Sequence, residues 1–282
     1  MTESELLFTE ILDCSRDKLY LNKGCMLTNQ QSCFLADALK RRSAGEPIQY
    51  ILGKTEFMGL GFRLTSDVFI PRPETEILVE TAIKFSYQLS EVRSQKTEDR
   101  RQRTEDRRQL KILDVGTGSG CIAISLAKFL KNAQVCATDI SKGALKIARQ
   151  NALLNNVEIN FLESNLFSNY ELKTIDYELI ISNPPYIPGR EINYLAPELG
   201  YEPRIALDGG GDGLEFYRRI IKQVPGFLKP CGFLIMEMGF GQYPAIERIF
   251  NDCGAKFKII EVVKDYQGID RVIVAGLNKT AS

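Results

Sequence analysis

The chain has 282 residues, enough for one large domain and a small one, and its 44% hydrophobic and 26% charged content is ordinary for a soluble globular protein. Thirty-six basic residues balance thirty-six acidic ones, so no global positive field gathers a phosphate backbone, and nucleic acid is disfavoured as the principal partner. Histidine is absent, which excludes Ser-His-Asp and Cys-His catalysis and the usual histidine-containing zinc sites.

The first residues, Met-Thr-Glu-Ser-Glu, are acidic and lack a signal-peptide pattern. No apolar run approaches the ~18 residues that span a bilayer. A cytoplasmic location without membrane contact is the expectation. The cysteines at 14, 25, 33, 121, 136, 231 and 253 are odd in number and form no Cys-x-x-Cys. They predict small buried hydrophobes in a reducing compartment, with neither a disulfide framework nor a metal site.

Residues 1–54 predict a small helical domain. Leu6, Leu7, Ile11 and Leu12 recur at helical spacing, as do Phe34, Leu35 and Leu39, and Thr28 is placed to cap the later helix. Substrate recognition or packing is its default role. Residues 55–76 read as a linker. Phe57-Met58-Gly59-Leu60-Gly61-Phe62 suggests a β-hairpin. Val68–Ile70 then predicts a strand, followed by a proline-stiffened turn and a helix start with Glu74 and Glu76 in its first turn.

Residues 77–282 form the third unit, with a charged insert at about 91–109. Within it, Lys-Thr-Glu-Asp-Arg-Arg-Gln is followed directly by Arg-Thr-Glu-Asp-Arg-Arg-Gln. The period of seven has no apolar seam, so a solvated helical extension or a disordered insert is expected rather than a coiled coil. From Leu110 onward, strands predicted at 111–115, 134–138, 158–162, 177–182, 232–238, 257–263 and 271–275 alternate with helical patterns. The helices include Ile122–Leu130, Ala144–Leu154 and Leu214–Leu228. Such alternation implies an α/β fold, a mostly parallel sheet covered on both faces, with ligands beyond the carboxyl ends of its strands.

The first of these strands ends in Asp114-Val115-Gly116-Thr117-Gly118-Ser119-Gly120. Glycines let a backbone turn sharply and approach a ligand closely. The next strand ends at Asp139, about twenty positions on, where a carboxylate can grip two ribose hydroxyls or cap the helix that follows. A nicotinamide dinucleotide more often meets Gly-x-Gly-x-x-Gly, and its pyrophosphate would be repelled by Asp114. A cationic nucleoside, a sulfonium with an ammonium group, is favoured there. S-adenosylmethionine fits both ends.

The strand Tyr177–Ser182 runs into Asn183-Pro184-Pro185-Tyr186. This turn offers a side-chain amide, carbonyls without competing N–H groups and an aromatic ring, on a backbone whose φ is fixed twice. Such a rim holds the N–H bonds of a planar amine or amide and aims the nitrogen lone pair. That geometry suits methyl transfer to nitrogen. A plain tight turn after a strand is the bland alternative.

In combination these motifs resemble the protein-(glutamine-N5) methyltransferases that modify peptide chain release factors, the PrmC or HemK family. The resemblance also rests on Gly45–Tyr50 with Gly53, Ile70–Glu76, Glu202-Pro203, Leu207–Gly210, Asp212–Leu214 and Gly268–Val272. It implies a seven-stranded Rossmann-like class I methyltransferase domain with a small helical N-terminal domain joined by a β-hairpin linker. It implies that Gly116, Thr117, Gly118, Ser119, Gly120 and Asp139, with Asn183 beside them, hold S-adenosylmethionine. It further implies that Asn183, Pro184, Pro185 and Tyr186 bind the glutamine of a Gly-Gly-Gln loop in class I release factors. Asn183 and the Pro184 carbonyl would accept the amide N–H bonds, and Tyr186 would close the pocket towards the sulfonium. The resemblance places Arg72–Glu76 beside the cofactor, with Glu74 or Thr75 as contacts.

The sequence departs from the family pattern after the third strand. An Asp and a bulky residue give way to Asn165 and Leu166 in Ser164-Asn165-Leu166-Phe167. Asn165 can still accept from an adenine amino group, without charge, and Leu166 can pack on the base. An N6-adenine or N2-guanine nucleic-acid methyltransferase is the alternative enzyme, because an exocyclic amine poses the same geometric problem. A catalytically silent adaptor that binds release factors is the alternative outside enzymes.

Overall fold

A computed structural model describes residues 2–21, 24–96 and 109–277. Four helices come first: α1 (Glu3–Ile11), α2 (Arg16–Leu21), α3 (Asn29–Ser43) and α4 (Ile48–Leu52). Thr2 and Thr28 cap α1 and α3 through reciprocal capping boxes with Glu5 and Gln31, which satisfies amide groups that a helix start leaves free. Leu7, Ile11, Ala38, Ile48 and Ile51 form a core of their own.

The antiparallel hairpin β1 (Lys54–Phe57) and β2 (Leu60–Arg63) follows. Its two turn residues, Met58 and Gly59, both have positive φ, as the twist of a tight hairpin demands. Val68–Ile70 forms no strand, contrary to the sequence expectation. The Val68 amide closes a local turn on Thr65, and the Ile70 amide donates to the Glu202 carboxylate, so no ladder partner is needed.

The remainder is α5 (Glu74–Lys96), β3 (Leu110–Val115), α6 (Cys121–Phe129), β4 (Ala133–Asp139), α7 (Lys142–Leu154), β5 (Asn160–Glu163), β6 (Tyr177–Ser182), α8 (Glu215–Gln223), β7 (Leu228–Glu237), α9 (Tyr243–Asp252), β8 (Phe257–Lys264) and β9 (Asp270–Leu277). The seven strands form one sheet in the order β5-β4-β3-β6-β7-β9-β8. All neighbours are parallel except those of β9. The strands expected from Leu110 onward are therefore present. The segment expected as one helix from Leu214 to Leu228 is α8 followed by a 3-10 turn, because Pro225 ends the helical ladder.

Alternation along β3 explains the layers. Leu110 and Ile112 join the core beneath α5 and α6, whereas Leu113 and Val115 join the core beneath α8 and α9. All six residues of β6 are buried, as a central parallel strand covered on both faces requires. The chain runs outward from β3 to β5 and returns to β6 at β3's other edge. The carboxyl ends of β3 and β6 thus flank the crevice where the direction of winding reverses. The charged repeat at 96–109 lies outside the described residues, apart from Lys96 at the end of α5 and Gln109.

Candidate active site

A cleft of about 410 Å³ opens at that crevice. Gly116–Ser119, Asp139, Asn165, Leu166 and Asn183–Tyr186 all line it, together with Arg72 just before α5 and Thr75 in its first turn. The residues singled out in the sequence are therefore brought to one place, with Gly120 just behind them as the residue preceding α6.

The loop after β3 is held from the neighbouring strand. The Gly116 and Thr117 amides both donate to the Thr138 carbonyl, at 2.9 and 2.8 Å. Gly118 donates to Asp139 Oδ2 at 2.9 Å, and the Ser141 amide donates to Asp139 Oδ1 at 2.8 Å. Asp139 is therefore not the cap of α7; Ser141 is, through its hydroxyl. Each Asp139 oxygen retains a lone pair for a further donor. At Gly120, with φ +84°, a Cβ would meet Ile124 Cδ1 at 2.9 Å and Ala148 at 3.2 Å, so only glycine lets α6 seat this closely on α7.

Asp114 is fully buried, and burial pushes its carboxyl up to about 7. Its Oδ2 accepts from the Thr117 hydroxyl at 2.6 Å, while Oδ1 has no partner. A buried carboxylate short of one partner favours a cation nearby. The glycine cradle, the Asp139 carboxylate and this uncompensated oxygen suit a cationic nucleoside donor.

Asn165 and Leu166 lie at the far side of the cleft. Asn165 Oδ1 accepts from Arg219 of α8 at 2.6 Å, a partner that the sequence spacing did not suggest. Leu166 stands at φ +54°, and the Ser164 hydroxyl ties down its carbonyl at 2.7 Å.

At the end of β6, the Ser182 hydroxyl donates to the Val115 carbonyl at 2.7 Å and locks the two crevice strands together. Asn183 Nδ2 donates to Thr75 Oγ1 at 3.2 Å. The Tyr186 carbonyl accepts from Gln242 Nε2 at 2.9 Å. Burial, with the Glu237 charge behind it, pushes the Tyr186 phenol up to about 12, so it remains protonated and cannot act as a base near neutrality.

The motifs at 202–214 support this rim rather than line it with chemistry. Ile187 exchanges backbone bonds with Leu207 and Gly209, and Gly189 donates to Gly210. A Cβ on Gly209 would lie 2.8 Å from Tyr186 Cα, and one on Gly213 2.4 Å from the Tyr186 carbonyl oxygen. Glu202, almost fully buried, pairs with Arg72 and accepts from the Ile70 amide. Glu76 accepts from the Met58 amide at 2.6 Å and braces the hairpin turn.

Sequence reasoning missed Gln242 and Glu237. Glu237, at the end of β7, is 3% exposed with Oε2 unpartnered. Burial pushes its carboxyl up to about 7, against the opposing pull of Thr75, Arg271 and Asn183. The cysteines divide: Cys121 and Cys136 are buried with thiols pushed up to about 12 and about 11, whereas Cys25 and Cys33 are exposed. Among the described residues, no helix is long and apolar enough to cross a membrane.

Comparison with known proteins covers nearly the whole chain. Residues 1–53 match the PrmC N-terminal domain, and residues 101–212 match the methyltransferase small domain. A release factor glutamine methyltransferase of Fusobacterium nucleatum is 38% identical over 98% of this chain and 73% of its own length. One from Geobacter sulfurreducens is 39% identical over 96% of this chain and 87% of its own length. A methyltransferase structure from Pyrococcus furiosus, 17% identical, covers 88% of this chain and 98% of its own at a TM-score of 0.51, a likeness of fold alone.

Proposed function

The chain belongs to the family of release factor glutamine methyltransferases, and we propose that its crevice presents one glutamine side chain to the donor through Asn183 and Pro184. The enzyme is an S-adenosylmethionine-dependent protein-(glutamine-N5) methyltransferase acting on release factors. The finer reading is that the glutamine belongs to the Gly-Gly-Gln loop of class I release factors, and that the work is done in the cytoplasm in support of translation termination.

The observation that carries this reading is the hydrogen bond from Asn183 Nδ2 to Thr75 Oγ1. An amide whose nitrogen is committed on one side offers its oxygen on the other. The Asn183 Oδ1 and the Pro184 carbonyl then accept the two N–H bonds of the glutamine amide and direct its nitrogen along one line. Orientation of this type supplies several of the roughly 7–11 kcal/mol that a fully positioned pair gains. S-adenosylmethionine supplies, when bound, the electrophilic methyl group. Gly116–Gly120 would cradle its amino-acid end, Asp139 its ribose, and Asn165 with Leu166 its base. The Tyr186 ring closes the apolar wall, where a facing cation gains about 0.5–2 kcal/mol. No strong base is required, because the nitrogen becomes acidic only after methylation; a chain without histidine and with a protonated Tyr186 meets that requirement.

The test is transfer of labelled methyl to a release factor, to its Gln→Ala loop variant, and to rRNA and DNA. Label on the wild-type factor alone is the expected result. Label confined to nucleic acid overturns the reading in favour of an exocyclic base amine. Asn183→Ala should lose at least 100-fold in kcat; an Asn183→Ala enzyme that methylates normally removes Asn183 from the mechanism.

A further inference from the structure

Most of the glycine loop is held from the sheet or by itself. The Gly116, Thr117 and Gly118 amides donate to β4, and the Gly120 amide closes a turn on the Thr117 carbonyl at 2.8 Å. Ser119 is held from α7. Its carbonyl accepts from Asn151 Nδ2 at 2.9 Å.

Asn151 is fully buried and is not among the residues that line the cleft. Its Oδ1 accepts from the Arg63 amide at 2.7 Å, and Nδ2 also donates to the Arg63 carbonyl at 3.1 Å. The side-chain amide thus pairs with one residue of β2 as a neighbouring strand would. A flipped amide would set its oxygen against two carbonyls and its hydrogens against an N–H, so the Arg63 backbone fixes which way Asn151 faces. The bond to Ser119 depends on that orientation. A buried carbonyl that loses its donor has no water to replace it, which makes the bond expensive to leave unmade.

β2 belongs to the hairpin that joins the N-terminal helices to the sheet. One turn further along α7, Asn155 Nδ2 donates to the Gly61 carbonyl of the same strand at 2.9 Å. Its other bond goes to the Asn151 carbonyl within the helix, also at 2.9 Å. Asn155 therefore holds the hairpin alone, whereas Asn151 holds the hairpin and the glycine loop together.

We propose that Asn151 is a positioning residue for the methyl donor: oriented by the Arg63 backbone, it holds the Ser119 carbonyl and so keeps the glycine cradle in its binding shape. This inference rests on the reading that Gly116–Gly120 cradle S-adenosylmethionine. Coupling of this kind is reciprocal, so a bound donor must in turn steady Arg63.

The experiment uses the full chain, with S-adenosylmethionine affinity from calorimetry and steady-state rates on a release factor. Asn151→Leu keeps the approximate volume and removes all three bonds. Asn151→Asp keeps the outline and the acceptor for Arg63 but, ionised, has no hydrogen for Ser119. Both should raise donor Kd and donor KM by about tenfold or more, the effect of one buried acceptor left unpaired. At saturating donor, kcat and acceptor KM should stay within about threefold of wild type, because Ser119 holds the donor and not the acceptor. Asn155→Leu, also buried on α7, should lower stability and leave donor Kd within about twofold. In the unsubstituted chain, saturating S-adenosylmethionine should slow hydrogen exchange at the Arg63 amide by about threefold or more, and Asn151→Asp should abolish that slowing. Donor affinity within threefold of wild type in either Asn151 variant, an equal loss in Asn155→Leu, or an Arg63 amide indifferent to the donor would overturn the proposal. The exchange measurement on the unsubstituted chain decides the matter even where Asn151→Leu does not fold. Failure of the underlying site assignment is distinguishable: Asp139→Ala would then bind the donor as tightly as wild type.

Discussion

At the scale of single residues, the rim of the site is held by atoms that permit no substitution rather than by strong bonds. Gly213 stands at φ +76°, and a Cβ there would lie 2.4 Å from the Tyr186 carbonyl oxygen, a backbone atom that cannot swing aside. Gln242 Nε2 occupies the same narrow space, reaching the Tyr186 and Gly213 carbonyls at 2.9 and 3.4 Å. Gly213→Ala should therefore cost about 1–3 kcal/mol in backbone strain. It should also displace Tyr186, so kcat drops at least tenfold, while donor affinity changes little because the glycine cradle hangs on β3 and β4. Gly211→Ala is the control. Its Cβ would meet nothing within 4 Å and its φ is not positive, so stability should stay within about 0.5 kcal/mol. Urea unfolding and single-turnover rates on the pair check both expectations; equal behaviour of the two variants would count against the crowding argument.

At the scale of elements, the entry to α5 and its first turn gather three distant parts of the chain. Arg72 pairs with Glu202, Thr75 meets Asn183, and Glu76 caps the hairpin turn at Met58. Burial pushes the Glu202 carboxyl upward despite Arg72, so the pair serves attachment more than net attraction. Removing Glu202 alone leaves Arg72 and the Ile70 amide without their acceptor. Glu202→Ala should lose about 2–3 kcal/mol, below the ~3–5 of a fully buried pair because Arg72 retains some water contact. Arg72→Leu/Glu202→Leu should recover part of that loss, as read by a denaturant double-mutant cycle. These contacts also show what the sequence can disclose. The strands of the large sheet were visible because burial on both faces leaves continuous apolar runs, and the loops at β3 and β6 because glycine and proline restrict backbone in recognisable ways. The strand expected at Val68–Ile70 had the right residue types but found a carboxylate, Glu202, in place of a neighbouring strand. Thr75 with Asn183 and Arg219 with Asn165 meet across 108 and 54 positions, where no local spacing signals contact. Glu237 looked like the end of an apolar strand, and its burial with an unpartnered oxygen appears only in the fold.

For the molecule as a whole, the missing histidine makes the active site unusually legible in solution. With no imidazole, no side chain of ordinary pKa titrates between about pH 5 and 8. Among the described residues, the two groups pushed up to about 7 are Asp114 and Glu237, one at the donor end of the crevice and one behind the acceptor end. Both are raised carboxyls, so the folded state binds their protons more tightly than the unfolded chain does. Stability is then highest below their ordinary values of 3.8 and 4.5, falls as the pH rises towards 7, and levels off above it. Each group contributes at most about 1.4 kcal/mol per pH unit within that window. Carboxyls with depressed values, such as Asp212 and Glu5 at about 2, lose their contribution only at far lower pH, whereas burial also raises Asp139 and Glu202, which add to the decline in the same direction. Urea unfolding of the donor-free enzyme at half-unit steps from pH 5 to 8.5 should show declining stability to about pH 7 and a plateau beyond. Asp114→Asn keeps an acceptor for Thr117 and removes one titration, so it should make the slope shallower. Glu237→Gln should remove a similar share, and the two together should leave a shallower decline carried by the other raised carboxyls, Asp139 and Glu202. A wild-type profile that is already flat, or one that rises with pH, would mean that these carboxyls are solvated or paired in the folded protein. The crevice would then lack the uncompensated negative charge that suits it to a cationic donor.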